Sequence, residues 1–147
     1  MNTRDTLRIN EKGHLEIGGC DAAVLAEKFG TPLYVMDEQY IRDMCRVYRD
    51  TIDTEYGGNG LVLYASKAFS CLAIYKIAEQ EKIGVDIVSG GELYTAIKAG
   101  FPSDKIYMHG NNKLRSELSE ALDAGIGTIV VDAYSELDLL DDLAKQK

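Results

Sequence analysis

An α/β fold of successive strand–helix units is predicted for this 147-residue chain by three observations. From Gly60 onward, short apolar runs rich in Val and Ile alternate with four helical stretches. The residues that end successive runs recur at a steady pitch, with 22 residues from Lys67 to Ser89, 20 from Ser89 to His109 and 23 from His109 to Asp132. Hydrophobic residues make up 46% and charged residues 27%, enough for a real core and against disorder. A strand and a helix repeating at this pitch imply parallel neighbours joined by right-handed crossovers.

The opening has a different rhythm. His14 to Gly19 (HLEIGG) alternates apolar and polar before a Gly-Gly turn, which predicts a short strand. DAAVLAEKFG follows as a helix with Asp21 at its N-cap and Gly30 as its stop. Thr31 to Asp37 (TPLYVMD) reads as a second strand, so residues 1–37 are assigned to a β-α-β segment contributing to a separate β-domain. Residues 38–147 are assigned to the βα series and its lead-in helix. In that helix Ile41, Met44, Cys45, Tyr48 and Ile52 form one stripe from Gln39 to Glu55, which YGGNG ends.

Leu61 to Ser66 (LVLYAS) is an apolar run suited to a strand covered on both faces, and a helix follows over Ser70 to Lys82. Val85 to Ser89 is the next strand, with a helix through Glu92 to Ala99 that stops at Gly100. Ile106 to His109 leads into Lys113 to Ala124, where Leu114, Leu118, Ala121 and Leu122 share a face and Gly125 closes the helix. Thr128 to Asp132 leads into a last helix from Ser135, whose hydroxyl with Asp138 resembles a capping box. These are four βα units of the kind that build a (β/α)8 barrel. A closed barrel needs roughly 200 to 250 residues, so the expectation is a partial barrel, cut after about its fourth unit.

Charge and composition narrow the function. The chain carries 24 acidic and 16 basic side chains, a formal charge of −8 that disfavours nucleic acid as a partner. The start, MNTRDTLRINEKG, is no secretory leader, and no apolar run approaches about 18 residues, so a membrane partner is not expected and a cytoplasmic protein is. Cys20, Cys45 and Cys71 lack CxxC spacing and are expected as buried, reduced thiols.

In parallel α/β folds ligands sit at the carboxyl ends of strands, so Lys67, Ser89, His109, Asn111 and Asp132 are expected on one face. Lys67 follows six strand residues, where poor solvation would favour the neutral amine that attacks carbonyls. A lysine at a strand end is otherwise a surface residue with a snorkelling head. Ser89-Gly90-Gly91-Glu92 reads either as an anion site at a helix start or as a cap with a tight turn. Asp86 reads as a solvated strand-end carboxylate, and His109 as a site residue or a structural one. Asn111 and Asn112 read as caps for the helix after them.

Three motifs in register, YASKA (Tyr64 to Ala68), VDIVSGGEL (Val85 to Leu93) and HGNNK (His109 to Lys113), resemble the diaminopimelate decarboxylase family. These are pyridoxal-phosphate enzymes related in fold to alanine racemase and the eukaryotic ornithine decarboxylases. The resemblance runs from about Gly30 to the end of the chain. It implies that Lys67 forms the Schiff base with pyridoxal 5'-phosphate, that Asp86 and His109 lie beside the cofactor, and that meso-2,6-diaminopimelate is decarboxylated to L-lysine. It also implies that a phosphate loop, a pyridine-nitrogen partner and residues of a partner subunit in a homodimer complete the site from elsewhere, so that these residues alone would be inactive. The rival readings are a decarboxylase of the same fold acting on ornithine, arginine or carboxynorspermidine, and an α/β module that binds a partner without chemistry.

Overall fold

The structure, a computed structural model, describes residues 6–147. It divides into two compact units, Met1–Val47 and Tyr48–Lys147.

In the first unit β1 (Leu7–Ile9), β2 (Leu15–Ile17) and β3 (Cys20–Asp21) form an antiparallel sheet in that order, with Arg8 opposite Glu16 and Ile17 opposite Cys20. Gly18 and Gly19, at φ 55° and 82°, form the tight turn between β2 and β3, which needs two residues of positive φ. Helix α1 (Ala22–Phe29) starts where Asp21 Oδ1 accepts from Ala23 N at 2.9 Å and Val24 N at 3.3 Å, as its N-cap position predicts. It stops at Gly30, whose φ is 80°.

The strand expected over residues 31–37 is absent. A strand needs a ladder partner, and among the described residues the sheet of this unit consists of β1, β2 and β3; Tyr34 is 97% exposed. The opening is therefore β-β-β-α, and neither β1 nor β3 was expected. Helix α2 (Glu38–Glu55) follows and runs across the division between the units. Asp37 Oδ1 accepts from Tyr40 N at 3.1 Å at its start, and Ile41, Met44, Cys45 and Ile52 of the predicted stripe are half-buried, whereas Tyr48 is exposed.

The second unit alternates strand and helix throughout. Its elements are β4 (Leu63–Ala65), α3 (Leu72–Gln80), β5 (Gly84–Ile87), α4 (Gly90–Lys98), β6 (Ile106–Met108), α5 (Arg115–Asp123), β7 (Thr128–Ile129) and α6 (Tyr134–Ala144). The strands pair in parallel in the order β4-β5-β6-β7, which is the sequence of a barrel wall. The fold is thus α/β, four successive βα units of a partial (β/α)8 barrel.

Alternation along the strands separates two faces. Val85, Ile87, Ile106 and Met108 are fully buried on one, beside buried Tyr75, Leu93, Ala96, Leu118 and Ala121 from the helices. Each such side chain contributes roughly 1.5–3 kcal/mol by leaving water. Tyr75 packs edge-on against Phe101, with centroids 6.3 Å apart. The opposite face carries the registered positions Ala65, Asp86 and Tyr107, then Thr128, and is only partly covered.

Several local expectations are corrected. The 61–66 run is not a strand covered on both faces: β4 is three residues at the sheet edge, and Leu61 is exposed. Helix α5 begins at Arg115, with Leu114 exposed at its N-cap, so Asn111 and Asn112 fall short of the helix and do not cap it. Helix α6 begins at Tyr134, which puts Ser135 inside the first turn, and no side chain caps it. The expectation of buried thiols is corrected: Cys20, at the start of the two-residue strand β3, is exposed, while Cys71, at the N-cap of α3, and Cys45, in the middle of α2 where no residue is fully buried, are half-buried.

Candidate active site

The carboxyl ends of the four parallel strands place the expected residues along one rim. Lys67 lies two residues beyond β4, Ser89 two beyond β5, His109 one beyond β6, and Asp132 three beyond β7.

Lys67 is exposed, which corrects the expectation of a desolvated amine. The ladder of β4 stops at Ala65, and residues 66–68 turn as a single 3₁₀ turn that directs Ser66 inward and Lys67 outward. Ser66 is fully buried, its Oγ 2.9 Å from the Asp86 carbonyl oxygen and 3.0 Å from Glu92 Oε2. The backbone under Lys67 is thereby tied to β5 and to the first turn of α4. At the other end of the motif, Tyr64 donates its hydroxyl to the Phe69 carbonyl at 3.0 Å.

Asp86 is half-buried on the partly open face, in register with Ala65 on one side and Tyr107 on the other. His109 continues β6 in the same alternation as Tyr107; its amide donates to the Ile87 carbonyl at 2.9 Å and its side chain is exposed. Asp86 and His109 therefore share the face that the helices leave open, and Lys67 stands on the neighbouring turn.

The Ser89-Gly90-Gly91-Glu92 segment is the N-terminus of α4, and Ser89 Oγ, Gly90 N and the Glu92 carboxylate are engaged. Ser89 Oγ accepts from Glu92 N at 3.3 Å, the cap reading. Gly90 N donates to Glu117 Oε1 at 2.8 Å, so the anion at this helix start is a carboxylate of the chain itself. A Cβ added at Gly90 would stand 3.3 Å from Glu120 Oε2 and 3.4 Å from Glu117 Cγ, which leaves little space for a second anion.

Sequence reasoning missed a buried ion pair at the same rim. Lys113 Nζ lies 2.7 Å from Glu136 Oε1, with the lysine side chain 1% exposed, and it also donates to the Gly110 carbonyl. The signal was the lysine of HGNNK, the only charged residue of that motif besides the titratable histidine.

A family model described as the pyridoxal binding domain of pyridoxal-dependent decarboxylases matches residues 38–147. The chain is 56% identical over all 147 of its residues to a diaminopimelate decarboxylase of Bacillus methanolicus, of which it covers 34%. It is 53% identical over 146 residues to that of Bacillus subtilis, covering 99% of the chain and 33% of the relative. Among solved structures, diaminopimelate decarboxylase from M. jannaschii in complex with L-lysine superposes with a TM-score of 0.87 at 41% identity, covering 99% of this chain and 34% of that one. The chain thus spans about a third of the length of the curated relatives it matches. Among the described residues no helix is long and apolar enough to cross a membrane.

Proposed function

The chain belongs to the pyridoxal-dependent decarboxylases through their pyridoxal binding domain, over residues 38–147, and from that premise we propose that Lys67 is the lysine that holds the cofactor in a meso-2,6-diaminopimelate decarboxylase. The observation that carries this reading is the 56% identity to a diaminopimelate decarboxylase along the whole chain, with Lys67 standing at a strand's carboxyl end. Domain limits follow in the same reading: residues 1–37 serve a β-domain and 38–147 the cofactor barrel.

The donor set fits the carbonyl end of pyridoxal 5'-phosphate. Lys67 is an exposed primary amine on an anchored turn, next to a face that carries a carboxylate and an imidazole. Its phosphate is not assigned to the α4 N-terminus, because Glu117 holds Gly90 N. The bound cofactor supplies the electron sink for the charge left by loss of CO2.

The protein groups have separate tasks in this proposal. Lys67 would hold the cofactor through Nζ, with Ser66 fixing its backbone. Asp86 would orient the amine as a hydrogen-bond acceptor, and His109 would lie against the ring. The whole protein acts as a homodimer in the cytoplasm on an amino-acid substrate; the absence of a disulfide among the three cysteines of these 147 residues supports a reducing compartment.

The test is CO2 release by the whole protein with meso-2,6-diaminopimelate, ornithine, arginine and carboxynorspermidine in competition. Preference for meso-2,6-diaminopimelate with L-lysine as product is expected. Preference for ornithine, arginine or carboxynorspermidine overturns the substrate, and full activity of Lys67→Ala overturns the role of the lysine.

A further inference from the structure

Three glutamates occupy the same place in three successive units: Glu92, Glu117 and Glu136 are each the third residue of their helix, α4, α5 and α6. A carboxylate there ordinarily caps its own helix and faces its positive end. Each of these reaches further, to the turn of the unit before it. Glu92 Oε2 accepts from Val88 N at 2.6 Å and lies 3.0 Å from Ser66 Oγ, beside Lys67. Glu117 accepts from Leu114 N through Oε2 at 2.9 Å and, through Oε1, from Gly90 N at 2.8 Å. Glu136 pairs with Lys113 at 2.7 Å, and Lys113 in turn holds the Gly110 carbonyl, next to His109.

We propose that Glu92, Glu117 and Glu136 are positioning residues that fix the carboxyl-end turns of Lys67, of Ser89–Gly90 and of His109–Lys113 against one another, each helix holding the turn of the unit before it. The device is chemical as well as geometric. Parallel strands are joined only by their ladder, which ends at Ala65, Ile87 and Met108. Beyond those points the turns have no strand to restrain them, and the carboxylates replace the missing ladder, Glu92 and Glu117 with charge-assisted hydrogen bonds and Glu136 with a buried ion pair. In α3 the third residue is buried Ile74, so the series begins at the turn of Lys67 and runs one way. The inference rests on the reading of Lys67 as the cofactor lysine for its functional meaning, though the coupling of turns stands apart from it.

The experiment uses the whole protein and two readouts. The first is amide hydrogen exchange resolved by residue. Glu117→Ala is expected to speed exchange of the Gly90 amide about ten- to a hundredfold, as one lost hydrogen bond to a charged group implies; Glu136→Gln speeds exchange across residues 109–114, and Glu92→Ala across residues 66–68. The second is the share of pyridoxyl label fixed on Lys67, among all lysines, after pyridoxal 5'-phosphate and borohydride. Glu92→Ala lowers that share, while Ser89→Ala, which removes only a cap bond, leaves it unchanged. Faster exchange confined to the helix that carries each substitution, or an unchanged Lys67 share in Glu92→Ala, overturns the proposal. If Glu92→Ala unfolds, Glu92→Gln keeps one acceptor oxygen and is expected to shift both readouts less in the same direction; no shift in either overturns it equally. Absence of preferred labelling in the wild type would count against Lys67 as the cofactor lysine, and the exchange arms would still decide the coupling.

Discussion

Lys113 and Glu136 form an ion pair at 2.7 Å with the lysine side chain 1% and the glutamate side chain 10% exposed. Two charges so little solvated hold together because each cancels the other's desolvation cost.

Removing one partner should therefore cost more than removing both. Lys113→Met leaves a buried carboxylate and is expected to lower stability by about 3 to 5 kcal/mol. The double variant Lys113→Met/Glu136→Leu should recover most of that loss, because apolar side chains of similar volume need no counter-charge. Urea unfolding of the four proteins measures both, and additive single losses would contradict the pairing.

Gly127 stands where α5 returns to β7, and a Cβ there would lie 2.0 Å from the Asp104 carbonyl oxygen. The neighbour is backbone and cannot rotate away. Gly127→Ala is expected to cost about 3 kcal/mol by overpacking, whereas Gly13→Ala meets no atom within 4 Å and pays only the strain of its φ of 77°. Thermal unfolding that ranks Gly13→Ala as the worse of the two would refute the close approach.

Asp21 joins the sheet of the first unit to α1, and its carboxyl is lowered from 3.8 to about 2, first by the hydrogen bond with His14 and then by those from Asn10, Val24 and Ala23. Because the folded carboxyl titrates below the unfolded one, its contribution is complete above pH 3.8 and is lost as pH falls through about 2. Following the Asp21 carboxyl carbon by NMR should give a midpoint near 2. In Asp21→Asn the stability should change less across the same acid range.

What the sequence made legible was local. Asp21 and Gly30 bound α1 as their positions foretold, and Gly100 and Gly125, at φ 73° and 61°, close α4 and α5, because caps depend on a few adjacent residues. The rhythm of the second unit was equally plain, since each strand repeats an apolar run at a fixed pitch. Residues 31–37 failed for the opposite reason: a strand is defined by a partner, and no neighbour in sequence records whether one exists. The burial of Lys67 was misjudged because the turn after Ala65 sends Ser66 inward in its place. Nor could the SGGE segment be resolved between anion site and cap, since the carboxylate on Gly90 N comes from Glu117, 27 residues away.

Position alone distinguishes Lys67 from the other exposed lysines: it sits on an anchored turn at the rim that holds Asp86 and His109. The most direct measurement is to incubate the protein with pyridoxal 5'-phosphate, reduce with borohydride and map the pyridoxyl-lysine by peptide mass. Label at Lys67 ahead of every other lysine is predicted. Label spread evenly over the surface lysines, with Lys67 unmarked or unremarkable among them, would contradict its assignment as the cofactor lysine.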